Sequence, residues 1–398
     1  MSTTVKEFLK ECNFEKIVKS CIALRHDIHQ HPELGFKEKR TSSLIARELH
    51  KLGLSVYEHI GETGVIAHLR CSKDGPVLAF RADIDALPIE EKTGVKYASL
   101  YKGVHHACGH DGHVAILLGT AMLLIQLKHK LRGTIKFIFQ PAEEVVGGAQ
   151  PIVAHKMWRT PLPDMIVALH GWPSLPLGMV EINYGVTYAS AGRFRITIKG
   201  RGGHGSAPEL THDPVATMIQ CISAIQNIKS REISALTPVV ISVCQINAGS
   251  ASNIIPDTAT FAGTVRAFST AKVIQTIRRI HSLSSQIAKA MKCEATLDEY
   301  SIVPPCVNKY GITKRVENSL RKVFDKNIKI SYKPSMGAED FVYFTQSVPG
   351  VYFRLGLGPY VSNVHSAQFD FNDEAIPYGI QAFGQIALDF LEIKKSTR

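Results

Sequence analysis

HHACGHDGHVAILLGTAMLLIQLKHKLRGTIKFIFQPAEE, residues 105–144, joins a histidine-rich loop, an apolar run, a β-branched and aromatic run, and a second polar loop. Val114 to Ile125 falls short of the roughly 20 residues needed to span a membrane, so it reads as a core helix. The helix is predicted to start at Asp111, a side chain suited to N-capping, and to run through Lys130 until Gly133 interrupts it. Residues 133–140, GTIKFIFQ, then read as a buried strand, as do PVLAFRAD (76–83) and DMIVALH (164–170). Apolar strands alternating with helical stretches predict an α/β domain on a largely parallel mixed sheet.

The pattern changes near Tyr188. AGRFRITIKGRGGHG (191–205) reads as a strand ending in a glycine-rich turn, followed by a helix over 213–230. Strands over 238–247 and 258–268, a helix over 271–291 and a strand over 294–300 complete a β-α-β-β-α-β order, the ferredoxin-like α+β unit. The expected domains are therefore a catalytic domain over 1–186 and 301–398 and an inserted ferredoxin-like domain over 187–300. VENSLRKVF, VYFRLGLG and a terminal helix belong to the second catalytic segment, and no internal repeat is present.

Across 398 residues, 45% hydrophobic and 20% charged content suits an ordinary folded core and argues against disorder. The amphipathic start MSTTVKEFLKECNFEKIV lacks the apolar segment of a secretory signal, so a cytoplasmic location is expected. Of eight dispersed cysteines without a C-x-x-C pair, most are expected to be reduced and structural. The net charge of +11 is scattered rather than interleaved with aromatics, which suits anionic small substrates and excludes a nucleic-acid groove.

Several strand-like runs end in side chains able to hold a metal: Asp83, the pair Glu143-Glu144, His170, and His365 after VYFRLGLG. Ligands bind beyond the carboxyl ends of strands in open α/β sheets, so these positions can converge. Cys108 and His110, two apart, cannot share a helix face, but a glycine-containing loop can turn both inward. Thiolate and imidazole suit zinc and similar divalent ions. Asp111 either caps the helix or orients His110. His105, His106 and His113 read as surface or packing residues. Glu143 and Glu144 have no neighbouring Lys or Arg; adjacent side chains diverge, so one can ligate a metal while the other handles a proton.

Nine stretches together resemble the M20 metallopeptidases, in the amidohydrolase branch of aminoacylase-like, hippurate hydrolase and auxin-conjugate hydrolase enzymes. They are RHDIHQHPELGF (25–36), RADIDALPI (81–89), HHACGHDGH (105–113), QPAEE (140–144), ALHGWP (168–173), GRGGHGSAPE (200–209), ASNIIPDTATFAGTVR (251–266), MGAEDFVYF (336–344) and His365-Ser366. The resemblance implies two divalent ions per subunit (zinc, manganese, cobalt or nickel) held by Cys108, His110, Glu144, His170 and His365. It implies Glu143 as general base and an inserted domain that dimerises, so a homodimer or homotetramer is expected. Other branches carry H-x-D where this chain has Arg81-Ala82-Asp83; the departure fits the amidohydrolase branch, with Asp83 still a catalytic candidate. The mechanism so implied adds His204 as an oxyanion donor, reaching a neighbouring subunit's site. Asn253, Arg266 and Gly337 are candidates for substrate binding. The expected substrate is a small N-acyl amino acid, with no membrane or nucleic-acid partner. An N-acetyl-diaminopimelate-type deacetylase and a non-catalytic metal-binding scaffold are the alternatives, and an intact Glu143 argues against the scaffold.

Overall fold

The computed structural model describes residues 4–359 and 361–391. The chain divides into two compact units: the first takes in residues up to Gly185, Val307–Lys333 and the chain from Asp340; the second takes in Val186–Cys306 and Pro334–Glu339.

The first unit is built on an eight-stranded sheet. Across it the strands run Ser55–Ile60, Gly64–Arg70, Thr134–Gln140, Val77–Asp83, Met165–Trp172, Gly350–Gly356, Val180–Asn183 and Ile328–Ser331. Its centre is parallel: Val77–Asp83 pairs with Thr134–Gln140 on one side and Met165–Trp172 on the other, and Met165–Trp172 pairs in turn with Gly350–Gly356. Antiparallel pairs at Gly64–Arg70 and Val180–Asn183 make the sheet mixed. Every residue of Val77–Asp83 and Thr134–Gln140 is buried, as parallel strands covered on both faces require. Ile135, Phe137 and Phe139 point into the main core, which Leu78, Phe80, Val167 and Phe353 share. On the opposite face even Lys136 is fully buried, its Nζ donating to the carbonyls of Met157 at 2.6 Å and Trp158 at 2.9 Å.

The helix His110–Gln126 crosses the core face of the sheet between Phe14–Gln30 and Ile376–Leu391. It is apolar all round because it is covered all round. At Gly119 an added Cβ would lie 2.4 Å from Ile380 Cδ1 and 2.8 Å from Cys21 Sγ, so only glycine lets the three helices approach this closely. The helix ends at Gln126 and not at the predicted Lys130, since Lys128–Lys130 forms a separate 3-10 turn. It also starts earlier: the N-cap is Gly109, at φ 84° in the left-handed region that glycine enters without strain. Asp111 is not the cap, because its buried carboxylate is committed to His29 Nδ1 at 2.8 Å.

The second unit has the predicted β-α-β-β-α-β order. Its strands Ser190–Lys199, Val239–Ala248, Thr258–Ala267 and Glu294–Val303 form an antiparallel sheet in which the second and third strands lie to one side of the first and the fourth lies to the other. Burial alternates along Ser190–Lys199 and Thr258–Ala267, so one face packs against the helices Pro214–Asn227 and Thr270–Ala290. Phe194, Ile196, Phe261, Ile277 and Ile280 are central to that core. Asp213 caps the first helix, Oδ1 accepting from the backbone N–H groups of Val215 at 2.8 Å and Ala216 at 3.1 Å. All eight cysteines are free, where the sequence predicts most to be, and no described helix is long and apolar enough to cross a membrane. Asp213→Ala leaves two N–H groups uncapped and is expected to cost about 1 kcal/mol, read from urea unfolding.

Candidate metal centre

Three loops at the carboxyl ends of the central strands carry four of the candidate ligands of the first unit, and the fifth, His170, lies on the strand Met165–Trp172 itself. The segment after Leu87 returns through His105, whose backbone exchanges two hydrogen bonds with Leu87, and delivers Cys108 and His110 at the helix start. The turn after Gln140 holds Glu143 and Glu144, with Ala142 and Val146 at positive φ. Two buried carboxylates fix it: Glu38 Oε1 accepts from Ala142 N and Asp85 Oδ2 from Glu144 N, at 2.8 and 2.9 Å. His365, itself at φ 63°, donates its N–H to the carbonyl of Ala107 at 2.7 Å, clipping the third loop onto the first.

The five sequence-predicted ligands converge. Cys108 Sγ lies 3.3 Å from His170 Nε2, and His365 Nε2 lies 3.3 Å from Glu144 Oε1. Donor atoms of Cys108, His110 and His170 lie within 4.8 Å of one another, as do those of Cys108, Glu144 and His365, and those of His110, Glu143 and Glu144. The histidine tautomers suit ligation. His170 donates from Nδ1 to the carbonyl of Gly171 at 2.7 Å, leaving the Nε2 lone pair for Cys108's side. His110 donates from Nδ1 to Asp85 Oδ1 at 3.1 Å, and its Nε2 is buried without a hydrogen-bond partner.

Electrostatics favours a cation among these groups. Burial, then Glu144, Glu143 and Asp83, push the Cys108 thiol well above its ordinary value. Burial depresses His110, but Asp83, Asp85 and Glu144 outweigh it and lift the imidazole to about 10. Burial raises Glu144, while His365 and His110 draw it below the usual carboxylate range. His170 is kept neutral, first by burial and then by His113. Thiol, imidazole and carboxylate donors around an unpartnered nitrogen are the donor set of zinc and similar divalent ions. The residues fit the implied metal.

Asp83 is bound on both oxygens: Oδ1 accepts from His113 Nδ1 at 2.6 Å and Oδ2 from Arg81 Nη1 at 2.7 Å. Its place is therefore beneath the ligands. His113 accepts from Gly171 N at 2.9 Å through Nε2, so neither of its nitrogens is available to a metal. His105, His106 and His113 are all buried and not surface residues, because the loop before the helix packs inside the unit. The residue that orients His110 is Asp85, not Asp111; only its position in RADIDALPI marked it in the sequence.

His204, Asn253, Arg266 and Gly337 belong to the second unit. His204 and Asn253 are neighbours there: Gly203–His204 pairs with Ile254–Ile255, and Gly205 N donates to the carbonyl of Asn253 at 2.8 Å. Arg266 is half-buried in the sheet opposite Val240 and Ala191. Gly337 accepts from Ala189 N at 2.9 Å through its carbonyl.

Buried donors and carboxylates gathered beyond a parallel sheet define a metal-dependent hydrolase. Residues 79–389 match peptidase family M20/M25/M40, and the chain belongs to that family as a metal-dependent amidohydrolase. It is 36% identical over 375 residues to the N-acetylcysteine deacetylase of Bacillus subtilis strain 168, covering 94% of this chain and 97% of the relative. It is also 36% identical over 386 residues to the IAA-amino acid hydrolase ILR1-like 4 of Arabidopsis thaliana, covering 94% and 87%. The solved structure of the Bacillus subtilis YXEP protein, described as a dinuclear metal binding peptidase of family M20, matches with TM-score 0.78 and 33% identity over 94% of this chain and 98% of that one.

Asp85 holds both His110 and the Glu144 backbone. Asp85→Asn is expected to weaken metal affinity by roughly 10–100-fold, measured by chelator competition.

Proposed function

We propose that this enzyme hydrolyses the amide bond of N-acyl amino acids, using two divalent ions held by Cys108, His110, Glu144, His170 and His365 and Glu143 as general base. The observation that carries the reading is His110 Nε2, buried without a hydrogen bond among the Cys108, Glu144, His170 and His365 donors. Two relatives are named for an N-acetyl amino acid and an IAA-amino acid, which supports an N-acyl amino acid as substrate.

Bound divalent ions supply a water of lowered pKa and a polarised carbonyl. Glu143 is buried and shares a donor group with His110 and Glu144. Its carboxylate takes the proton of the attacking water and returns it to the departing nitrogen. His113, clamped between Asp83 and Gly171, keeps His170 and the helix start from shifting as charge develops. For His204 the tautomer supports an oxyanion role: Nδ1 accepts from Ser206 N at 3.1 Å, so the neutral ring carries its proton on Nε2, as a donor. Asn253, Arg266 and Gly337 are proposed for the substrate's carboxylate and backbone. Val239–Ala248 is an edge strand with Val240 40% and Ile246 55% exposed, which supports self-association through the second unit.

Metal-stripped enzyme reloaded with zinc, manganese, cobalt or nickel is expected to release free amino acid from N-acetyl, N-benzoyl or indole-acetyl amino acids. Glu143→Ala is expected to keep its metal and lose at least about 100-fold in kcat; normal turnover in that variant, or none by wild type with any metal, would sink the reading. His204→Ala is expected to lower kcat by roughly 100-fold with KM little changed; an unchanged kcat removes it from the mechanism.

A further inference from the structure

We propose a further cation site in the first unit, formed by His29, Glu91 and His105 and separate from the Cys108 cluster. One ligand atom from each lies within 4.8 Å of the others. His29 Nε2 is 3.2 Å from Glu91 Oε1, and His105 Nε2 is 3.9 Å from the same oxygen. The His29 and His105 side chains are fully buried and that of Glu91 is 5% exposed.

Each group is held in place from behind. His29 Nδ1 lies 2.8 Å from Asp111 Oδ2, and a carboxylate oriented this way fixes the proton on Nδ1 and turns the Nε2 lone pair forward, the arrangement that supports histidine ligands. Glu91 is anchored by Ser99 N, which donates to Oε2 at 2.6 Å, and by the Thr93 hydroxyl on Oε1. The backbone ladder between Leu87 and His105 sets the imidazole of His105 against this carboxylate.

His105 decides between a cation and a simpler arrangement. A second proton on His29 would satisfy the His29–Glu91 contact, making an imidazolium between two carboxylates. It would leave His105 Nε2 buried without a hydrogen bond, 3.9 Å from Glu91 Oε1. A buried polar atom without a partner is costly, and a ligated cation removes that cost at Nε2. A cation between Nε2 of His29, Oε1 of Glu91 and Nε2 of His105 engages all three groups at once.

The local charge agrees. Arg25 faces Asp370 Oδ1 at 2.8 Å, Asp373 Oδ1 at 3.0 Å and Asp111 Oδ2 at 3.8 Å. Three carboxylates thus face one permanent cation, and Glu91 adds a fourth on the far side of His29. Two imidazoles and one carboxylate form a donor set suited to zinc, with water completing four ligands. An ion here ties the helix Phe14–Gln30 to the loop that delivers Cys108, so its role is to hold that loop.

Wild-type protein stripped with chelator, reloaded with zinc and desalted is expected to retain one more zinc per chain than Glu91→Gln or His105→Ala treated identically, by plasma mass spectrometry. Crystals of the zinc-loaded wild type are expected to give an anomalous peak about 2.0–2.2 Å from the His29, Glu91 and His105 ligand atoms. Equal zinc in wild type and both variants, or no peak there when the Cys108 cluster shows its own, overturns the site. A peak at His29 with none at Cys108 would leave this inference standing and sink the two-ion reading instead.

Discussion

The carboxylate of Asp83 is the contact on which the rest of the centre depends. It closes one central strand and accepts from Arg81 and His113. Arg81 continues to Gln140, the last residue of the next strand, through Nε at 2.9 Å, and to Asp340 Oδ1 at 3.2 Å. His113 continues to Gly171 on the third strand. One buried anion therefore ties three parallel strand ends and the start of the core helix into a single polar layer. Ionised groups out of water are costly unless their hydrogen bonds are complete. Here burial opposes the charge of Asp83, yet His110, His113 and Arg81 hold it well below the ordinary carboxylate range. The layer fixes the bases of the Cys108 and Glu144 loops and the strand end that carries His170 before any substrate arrives.

The elements were legible where one signal dominated. The three central strands lie within two residues of their predicted limits because a strand buried on both faces has no polar positions to blur it. The second unit was legible because two of its strands, Ser190–Lys199 and Thr258–Ala267, alternate without a break and Asp213 caps the helix between strands. The start of the core helix was misread because Asp111 has the side chain of a cap and its neighbour Gly109 has none. Backbone sign, not side-chain chemistry, decided that position.

Ligand convergence was legible as a set of strand ends, and the residues behind the ligands were not. Asp85 and Asp111 are both acids near His110, one distant in sequence and one adjacent. Adjacency on a helix turns side chains apart, so the distant residue holds His110 and the adjacent one reaches His29. The same reasoning explains His105 and His106. A run of histidines in a loop resembles a solvated segment until the Leu87 ladder and the covering helix Phe14–Gln30 are known.

With the proposed ligands, metal binding at the Cys108 cluster is also a proton exchange. Without a cation, the Cys108 thiol is held well above neutrality, and the three carboxylates around His110 keep a proton on that ring up to about 10. Both protons must leave before sulfur and nitrogen can ligate. The apo state therefore binds more protons than the loaded state at neutral pH, and by linkage apparent metal affinity rises with pH until those groups have titrated. His170 needs no such exchange, since burial and His113 already keep it neutral. The proposed centre is thus graded: His170 stands ready, while Cys108 and His110 give up protons to the solvent as a cation takes over the charge that those protons had balanced.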